Sequence, residues 1–360
     1  MRDYSLERVQ QAYYFLGKPL ENIKVIHIAG TNGKGSVANM LYSIFTESES
    51  SVGIFTSPHL LDIRERFRTN TSQITQQEFL DCVNKIEASA IQLSYFERCT
   101  LIAFLFFEMR WVEYAIVEVW CWGLLDSTNI VNPFITAITS IGIDHVELLW
   151  NSLEEISMQK AGIIKPWVPI VYNHENAIIA EKAQEQGAPI IFTDKKYDTN
   201  LAGEYQKANA AIAYEIASYG WVSEDQINRW LQRVEHLWRL QYLENNILVD
   251  GAHNEMWLKA LKKYIDWVTD SFTEIIYCIA LKKWKTVDLI HDIFWNNNNY
   301  IFVDTQHNMC ESALILQQSF HPDTQILSAE SIKKQALKNP ETLYVVFGSL
   351  YMIGDFYTKP

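Results

Sequence analysis

Val25-Ile26-His27-Ile28-Ala29-Gly30-Thr31-Asn32-Gly33-Lys34-Gly35-Ser36 decides how this chain is read. The first five residues have the apolar run of a buried strand. The glycines then form a loop, and a helix follows from near Ser36 with Val37, Met40, Leu41 and Ile44 at helical spacing. Three glycines let backbone N–H groups close around an anion, and the helix N-terminus adds a favourable field. Lys34 supplies a point charge and Ser36 a hydroxyl for a metal ion. Gly30, Thr31, Asn32, Gly33, Lys34, Gly35 and Ser36 are thus a candidate triphosphate cradle. The spacing departs from the usual phosphate-loop pattern, because Gly35 separates the lysine from the hydroxyl residue and the first glycine is displaced.

Outward from this loop, apolar strand patterns alternate with helical ones, the mark of a mostly parallel sheet covered on both faces. Strands are expected at 52–56, 114–119, 134–139, 169–172 and 189–192. Helices are expected at 76–88, 96–109, 203–219 and 223–234. Ser152-Leu153-Glu154-Glu155 reads as a capping box that opens a helix to about residue 164. A second unit shows strands at 246–249, 275–279, 300–303 and 343–347. The expected domains are therefore 1–236 and 237–360, with an active site in the cleft between them.

Composition narrows the class. The 360 residues are 48% hydrophobic and 20% charged, which suits folded α/β domains rather than a disordered chain. A net charge of −13 argues against a nucleic-acid footprint. The most apolar stretch, 101–119, is interrupted by Glu108, Arg110, Glu113 and Glu118, so no membrane span is expected, and no early segment resembles a signal peptide. Cys82, Cys99, Cys121, Cys278 and Cys310 are scattered without metal-like spacing, as free thiols in a reducing cytoplasm would be.

Around the cradle, Ser57 in Thr56-Ser57-Pro58-His59 follows a strand, at the carboxyl end where ligands bind in such sheets. Glu118 lies inside an apolar strand, where a carboxylate is costly unless it is paired or holds a metal; a solvent-facing strand end is the other reading. Asp144 and His145 end another apolar run. By itself His145 is an ordinary histidine more readily than a ligand to a hard cation. Lys160 alone reads as a solvated lysine, and Asp250-Gly251-Ala252-His253-Asn254 as a turn able to reach a nucleotide.

Together these residues resemble the folylpolyglutamate synthase/dihydrofolate synthase family of the Mur ligase superfamily. The likeness runs through 27–36, Thr56 to Leu60 with Glu65-Arg66, Tyr95-Phe96-Glu97 with Thr100, Val117-Glu118-Val119 and Leu125-Asp126-Ser127-Thr128-Asn129. It continues through 142–149, 160–166, Arg239-Leu240-Gln241, 250–254 and Gly348-Ser349-Leu350-Tyr351. It implies a P-loop-containing, mostly parallel sheet domain followed by a smaller Rossmann-like α/β domain. It also implies a cytoplasmic, monomeric ligase that uses ATP and Mg2+ at two sites to add L-glutamate to a folate or dihydropteroate carboxylate. By resemblance Lys34 contacts phosphates, Ser36, Ser57 and Glu118 hold one Mg2+, and His145 helps hold a second. Lys160 matches a lysine that relatives carbamylate. Asn209 matches a residue near the nucleotide, while Arg239, Asp250 and His253 match nucleotide contacts from the second domain. A sibling Mur-type amino-acid ligase is the alternative enzyme reading.

Several positions depart from the family pattern. The family has Gly-x-Gly-Gly-Arg where this chain has Trp120-Cys121-Trp122-Gly123-Leu124, and Trp150, Trp167 and Trp238 also stand at family glycines, with Trp111 and Trp284 similar. Arg64 and Gln159 replace an expected Asn and Glu. The chain holds 14 Gly, where about 25 would be usual, and its 12 Trp match the shortfall. Either the tryptophans are real and the site is remodelled or inactive, or the source lineage reads as glycine a codon written here as tryptophan.

Overall fold

A computed structural model describes residues 5–143, 152–282, 288–294, 299–305, 307–320 and 322–358. The chain divides into two compact units, one of Met1–Asn200 with Glu204–Glu235 and the other of Leu201–Gly203 with His236–Pro360.

The first unit is built on a seven-stranded sheet. Its strands are β1 (Lys24–Ala29), β2 (Val52–Phe55), β3 (Phe67–Thr69), β4 (Tyr114–Glu118), β5 (Ile135–Ile138), β6 (Ile170–Tyr172) and β7 (Ile190–Phe192). They lie in the order β3-β2-β4-β1-β5-β6-β7, and every pairing is parallel except β2 with β3. The order reverses at β1, whose neighbours β4 and β5 follow it in the chain, so ligands are expected at its carboxyl end. Strands β2, β4 and β5 are buried along their whole length, as continuous Val/Ile runs in a doubly covered sheet should be.

The helices of this unit are α1 (Glu7–Phe15), α2 (Lys34–Glu47), α3 (Gln76–Glu87), α4 (Tyr95–Met109), α5 (Leu153–Ala161), α6 (Ala177–Glu185), α7 (Tyr205–Tyr219) and α8 (Glu224–Trp230). Capping boxes start α3 at Thr75/Glu78 and α4 at Ser94/Glu97. Helix α4 buries Leu101 to Phe107 on all sides, against α3, β2 and β3 among others, and β4 is buried along its length, so the apolar run at 101–119 is a core helix followed by a core strand. No described helix is long and apolar enough to cross one.

The second unit has six strands: β8 (Gln241–Glu244), β9 (Ile247–Val249), β10 (Glu274–Ile279), β11 (Tyr300–Val303), β12 (Gln325–Leu327) and β13 (Thr342–Phe347). Their order is β12-β11-β10-β13-β9-β8, parallel except for β8 with β9. Its helices are α9 (Glu255–Val268), α10 (Asp288–Phe294), α11 (Ala313–Phe320), α12 (Ala329–Lys338) and α13 (Leu350–Tyr357). The expected α/β class with two mostly parallel sheets is thus the observed one.

Two helices end earlier than their periodicity suggests. Helix α8 stops at Trp230, because Asn200 claims the backbone beyond it: its side chain bonds both the N–H and the carbonyl of Val234, and its own N–H reaches Leu231 O. Helix α5 stops at Ala161, and Ile163 and Ile164 enter the core from a turn. Of the proposed capping box at its start, the Ser152 half is present, its hydroxyl accepting Glu155 N–H at 3.2 Å. The sequence pattern also missed α1 and the edge strands β3, β8 and β12. Edge strands are short and alternate in polarity, so they lack the continuous apolar run that marks the central ones.

Candidate active site

The loop after β1 is shaped by glycine backbone that no other residue would fit. Gly30 has φ 140° and Gly33 φ 92°. A Cβ on Gly30 would collide with Thr139 Oγ1, and one on Gly33 would lie 2.5 Å from Asn209 Oδ1. Thr31 N–H donates to Ser140 O at 2.7 Å, and Thr139 Oγ1 donates to Asn32 O at 2.7 Å, so the stretch after β5 clamps the loop from outside. Gly33 is the N-cap of α2 and has no side chain to cap it, which leaves the first-turn N–H groups to a bound anion. Lys34 curls back over the loop, its Nζ donating to Gly30 O at 2.9 Å and Thr31 O at 3.0 Å. Ser36 is 2% exposed in the first turn of α2, below this loop.

Asn209 on α7 packs against the same loop, its Nδ2 donating to Gln206 Oε1 at 2.9 Å. Glu118 ends β4 directly beside β1, with Ile28 and Glu118 in register. It is 5% exposed, and its Oε2 accepts Ser57 N–H at 3.0 Å. The Ser57 hydroxyl is buried and has no hydrogen-bond partner among the described residues. An orphaned hydroxyl beside a buried carboxylate costs roughly 1–3 kcal/mol, unless a bound group accepts it. A hard cation meets both needs: Ser36, Ser57 and Glu118 supply oxygen ligands only, as Mg2+ prefers, and Mg2+ completes its shell with water and phosphate. Among the described residues no cluster of three or more His, Cys, Asp or Glu forms a metal site. His145, Asp144 and Trp150 lie outside the described residues, so the second metal position rests on sequence alone.

The loop after β4 is organised by a residue to which the sequence reading gave no role. Asp126 is fully buried; its Oδ2 accepts the N–H groups of Trp120 (3.1 Å) and Cys121 (3.3 Å), and its Oδ1 accepts the Thr128 N–H (3.1 Å) and the Thr128 hydroxyl (2.7 Å). Burial pushes its pKa up, and hydrogen bonds from Thr128 and Cys121 and the charge of Lys160 oppose that rise. Because Thr128 spends its hydroxyl proton on Asp126, it accepts from His27 Nε2 at 2.9 Å. His27 is therefore the Nε2–H tautomer, and burial, then Lys165, lowers its pKa to about 3. Lys160, 6% exposed on α5, donates to Cys121 O of the same loop. The signal in the sequence was the polar run Asp126-Ser127-Thr128-Asn129, two leucines after Gly123.

Beside this loop lies a pocket of about 550 Å³, walled by Tyr95, Phe96, Glu97, Trp120, Trp122 and Asp126 among others. The Trp120 and Phe96 rings sit 5.0 Å apart.

In the second unit, Asp250 directly follows β9, is fully buried, and accepts Leu240 N–H at 2.9 Å and Ala252 N–H at 2.8 Å. Burial pushes its pKa up to about 6 against the opposing charge of Arg239. The Arg239 guanidinium lies 3.3 Å from the centre of the Trp257 ring. His253 Nδ1 donates to Gly251 O at 2.8 Å, which leaves Nε2 as the ring's acceptor. The structure thus assembles Arg239, Asp250 and His253 around one turn.

A glycine loop entering a helix, flanked by a buried carboxylate at the next strand end, defines a nucleotide-dependent α/β enzyme, and residues 28–225 match the Mur ligase middle domain. The chain is 29% identical to the dihydrofolate synthase/folylpolyglutamate synthase of Bacillus subtilis, over 97% of this chain and 93% of that protein. It is 31% identical to the dihydrofolate synthetase of Saccharomyces cerevisiae, over 73% and 72%. The bifunctional folylpolyglutamate synthase/dihydrofolate synthase of Yersinia pestis, solved with AMPPNP and a Mn ion, superposes with a TM-score of 0.87 at 26% identity, covering 98% of this chain and 92% of that one. E. coli FolC, solved with DHPP and ADP, gives 0.86 at 25%, covering 98% and 92%. The chain belongs to the folylpolyglutamate synthase/dihydrofolate synthase family of Mur ligases, ATP- and divalent-cation-dependent ligases.

Proposed function

We propose that this protein joins L-glutamate to the carboxylate of a dihydropteroate or folate acceptor at the expense of ATP, as a cytoplasmic monomer. One observation carries the site: the partnerless Ser57 hydroxyl beside buried Glu118, at the strand end next to the glycine loop. The acceptor's aromatic pterin suits the pocket walled by Tyr95 and Phe96, which Glu97 also lines.

The chemistry follows from charge. An acceptor carboxylate oxygen attacks the γ-phosphorus, ADP leaves, and an acyl phosphate forms on the acceptor. The amine of L-glutamate then attacks its carbonyl carbon, and phosphate leaves as the amide forms. The first step brings two anions together, which repel by about 4 kcal/mol at ~4 Å with an effective dielectric near 20. Bound Mg2+, held by Ser36, Ser57 and Glu118, would offset that repulsion and polarise the transferring phosphoryl group. Lys34 and the N–H groups of the glycine loop hold the phosphates in line. In this reading Asn209, Arg239, Asp250 and His253 contact the nucleotide. Lys160, carbamylated, would add a carboxylate near a second cation with His145; as an amine it braces the 120–123 loop instead.

The test is ATP cleavage by purified protein with L-glutamate and either dihydropteroate or tetrahydrofolate. Acceptor- and glutamate-dependent phosphate release is expected. Cleavage that ignores both would sink the assignment, and ATP binding without turnover would favour an inactive nucleotide-binding relative.

A further inference from the structure

Nine of the 12 tryptophans lie among the described residues, and four of these, Trp111, Trp167, Trp221 and Trp238, have left-handed backbone with φ of 52°, 63°, 68° and 53°. Only a few per cent of non-glycine residues do this, and for a bulky side chain it is an outlier. The surrounding hydrogen bonds say which residue the backbone calls for. Helix α1 ends with Gly17 N–H on Tyr14 O (3.1 Å) and Lys18 N–H on Tyr13 O (3.0 Å), and α6 with Gly187 N–H on Gln184 O (3.1 Å) and Ala188 N–H on Ala183 O (2.9 Å). That bond pair is the Schellman motif, with glycine at its left-handed position.

Helices α4 and α7 end the same way, with tryptophan in the glycine's place. Trp111 N–H bonds Glu108 O (3.0 Å) and Val112 N–H bonds Phe107 O (3.2 Å); Trp221 N–H bonds Ser218 O (3.1 Å) and Val222 N–H bonds Ala217 O (3.1 Å). Trp167 follows Pro166 in a turn closed by Val168 N–H on Lys165 O at 3.2 Å. Proline followed by a positive-φ residue is the type II turn, whose third position favours glycine. The indoles lie mostly in solvent, with Trp111, Trp167 and Trp221 87%, 79% and 92% exposed, although the Trp167 ring rests against Gly187. Lys18, Glu49, Ala90 and Leu240 also have positive φ, and Glu49 ends α2 with the same bond pair, so the motif takes other residues; but no other non-glycine type among the described residues recurs at such positions. Trp230, Trp257 and Trp267 sit in helices, and their backbone makes no such demand.

We infer that glycine occupies positions 111, 167, 221 and 238 of the protein as its source cells make it, because those cells read as glycine a codon written here as tryptophan. The same reassignment puts glycine at 120 and 122 and removes two indoles from the wall of the pocket beside Phe96, which makes these two positions the ones that set its size. This second part rests on the ligase reading; the four turn positions do not.

Mass spectrometry of peptides from the source cells that cover these six positions tests it directly, beside two recombinant chains, one as written and one carrying W111G, W120G, W122G, W167G, W221G and W238G. Glycine masses are expected at all six. The substituted chain should melt about 6–12 °C higher, at roughly 2–4 °C for each strained turn of the first unit, and should cleave ATP with acceptor and glutamate at least about tenfold faster. Tryptophan masses at the four turns would overturn the inference. Glycine there with tryptophan at 120 and 122 would overturn the pocket half alone. Glycine at all six with no acceptor-dependent cleavage would sink the ligase reading and leave the inference standing.

Discussion

Two loops leave neighbouring strands of the first sheet side by side, and they are made in opposite ways. The loop after β1 takes its shape from its own backbone, with Gly30 and Gly33 in conformations that exclude a Cβ. The loop after β4 is held by a side chain beyond it: Asp126 collects the N–H groups of Trp120 and Cys121, with Thr128 and His27 as its support. A loop of the first kind announces itself in a sequence by its glycines. One of the second kind hides, because an aspartate in a polar run looks like any surface turn.

The largest effect should come from breaking the first loop's chemistry. Lys34→Met removes the charge folded over the loop and should lower acceptor-dependent ATP cleavage by about 10²–10³-fold. A loss under tenfold would mean that the backbone N–H groups alone carry the phosphates. Next comes the strand end between the loops. Glu118→Gln should raise the Mg2+ concentration for half-maximal activity and cost about 10²-fold in rate, and Ser57→Ala about tenfold. If both variants keep the parent's Mg2+ titration, the cation is held elsewhere.

The second loop is broken at Asp126. Asp126→Asn turns an acceptor of four hydrogen bonds into a group whose NH2 faces donors, and it should cost about 10–100-fold in kcat with ATP binding kept. Unchanged kcat would show that the loop's position does not matter to the reaction. A smaller effect sharpens the contrast between glycine-coded and glycine-lacking turns. Trp167→Gly alone should raise the melting temperature by about 2–4 °C, whereas Gly187→Trp, at the end of α6, should lower it.

The same division explains what could be read in advance. Buried parallel strands such as β1, β4 and β13 showed through their continuous apolar runs, and the glycine loop through its spacing. Edge strand β8 did not, because its alternating Gln-Tyr-Leu-Glu lacks an apolar run, and the end of α8 did not, because Asn200, about thirty residues earlier, decides it at residues 231–234. Lys160 looked like a solvated lysine from its neighbours, yet it is buried on Cys121 O, a contact that only the fold creates.

The second unit repeats the side-chain solution, and its pH response tests whether the likeness is physical. Asp250 holds a turn through Leu240 and Ala252 N–H groups as Asp126 holds its loop, and burial pushes its pKa up to about 6. A carboxyl whose folded pKa lies above its unfolded value of about 4 binds more protons folded than unfolded between those values. Its contribution to stability is therefore present below pH ~4, is lost as pH rises toward about 6, and stays lost above. The melting temperature should fall by a few degrees across that window, and Asp250→Asn, which has no proton to exchange, should flatten the fall. An unchanged slope in the variant would mean that the backbone N–H groups hold Asp250 ionised throughout, as a carboxylate that only accepts.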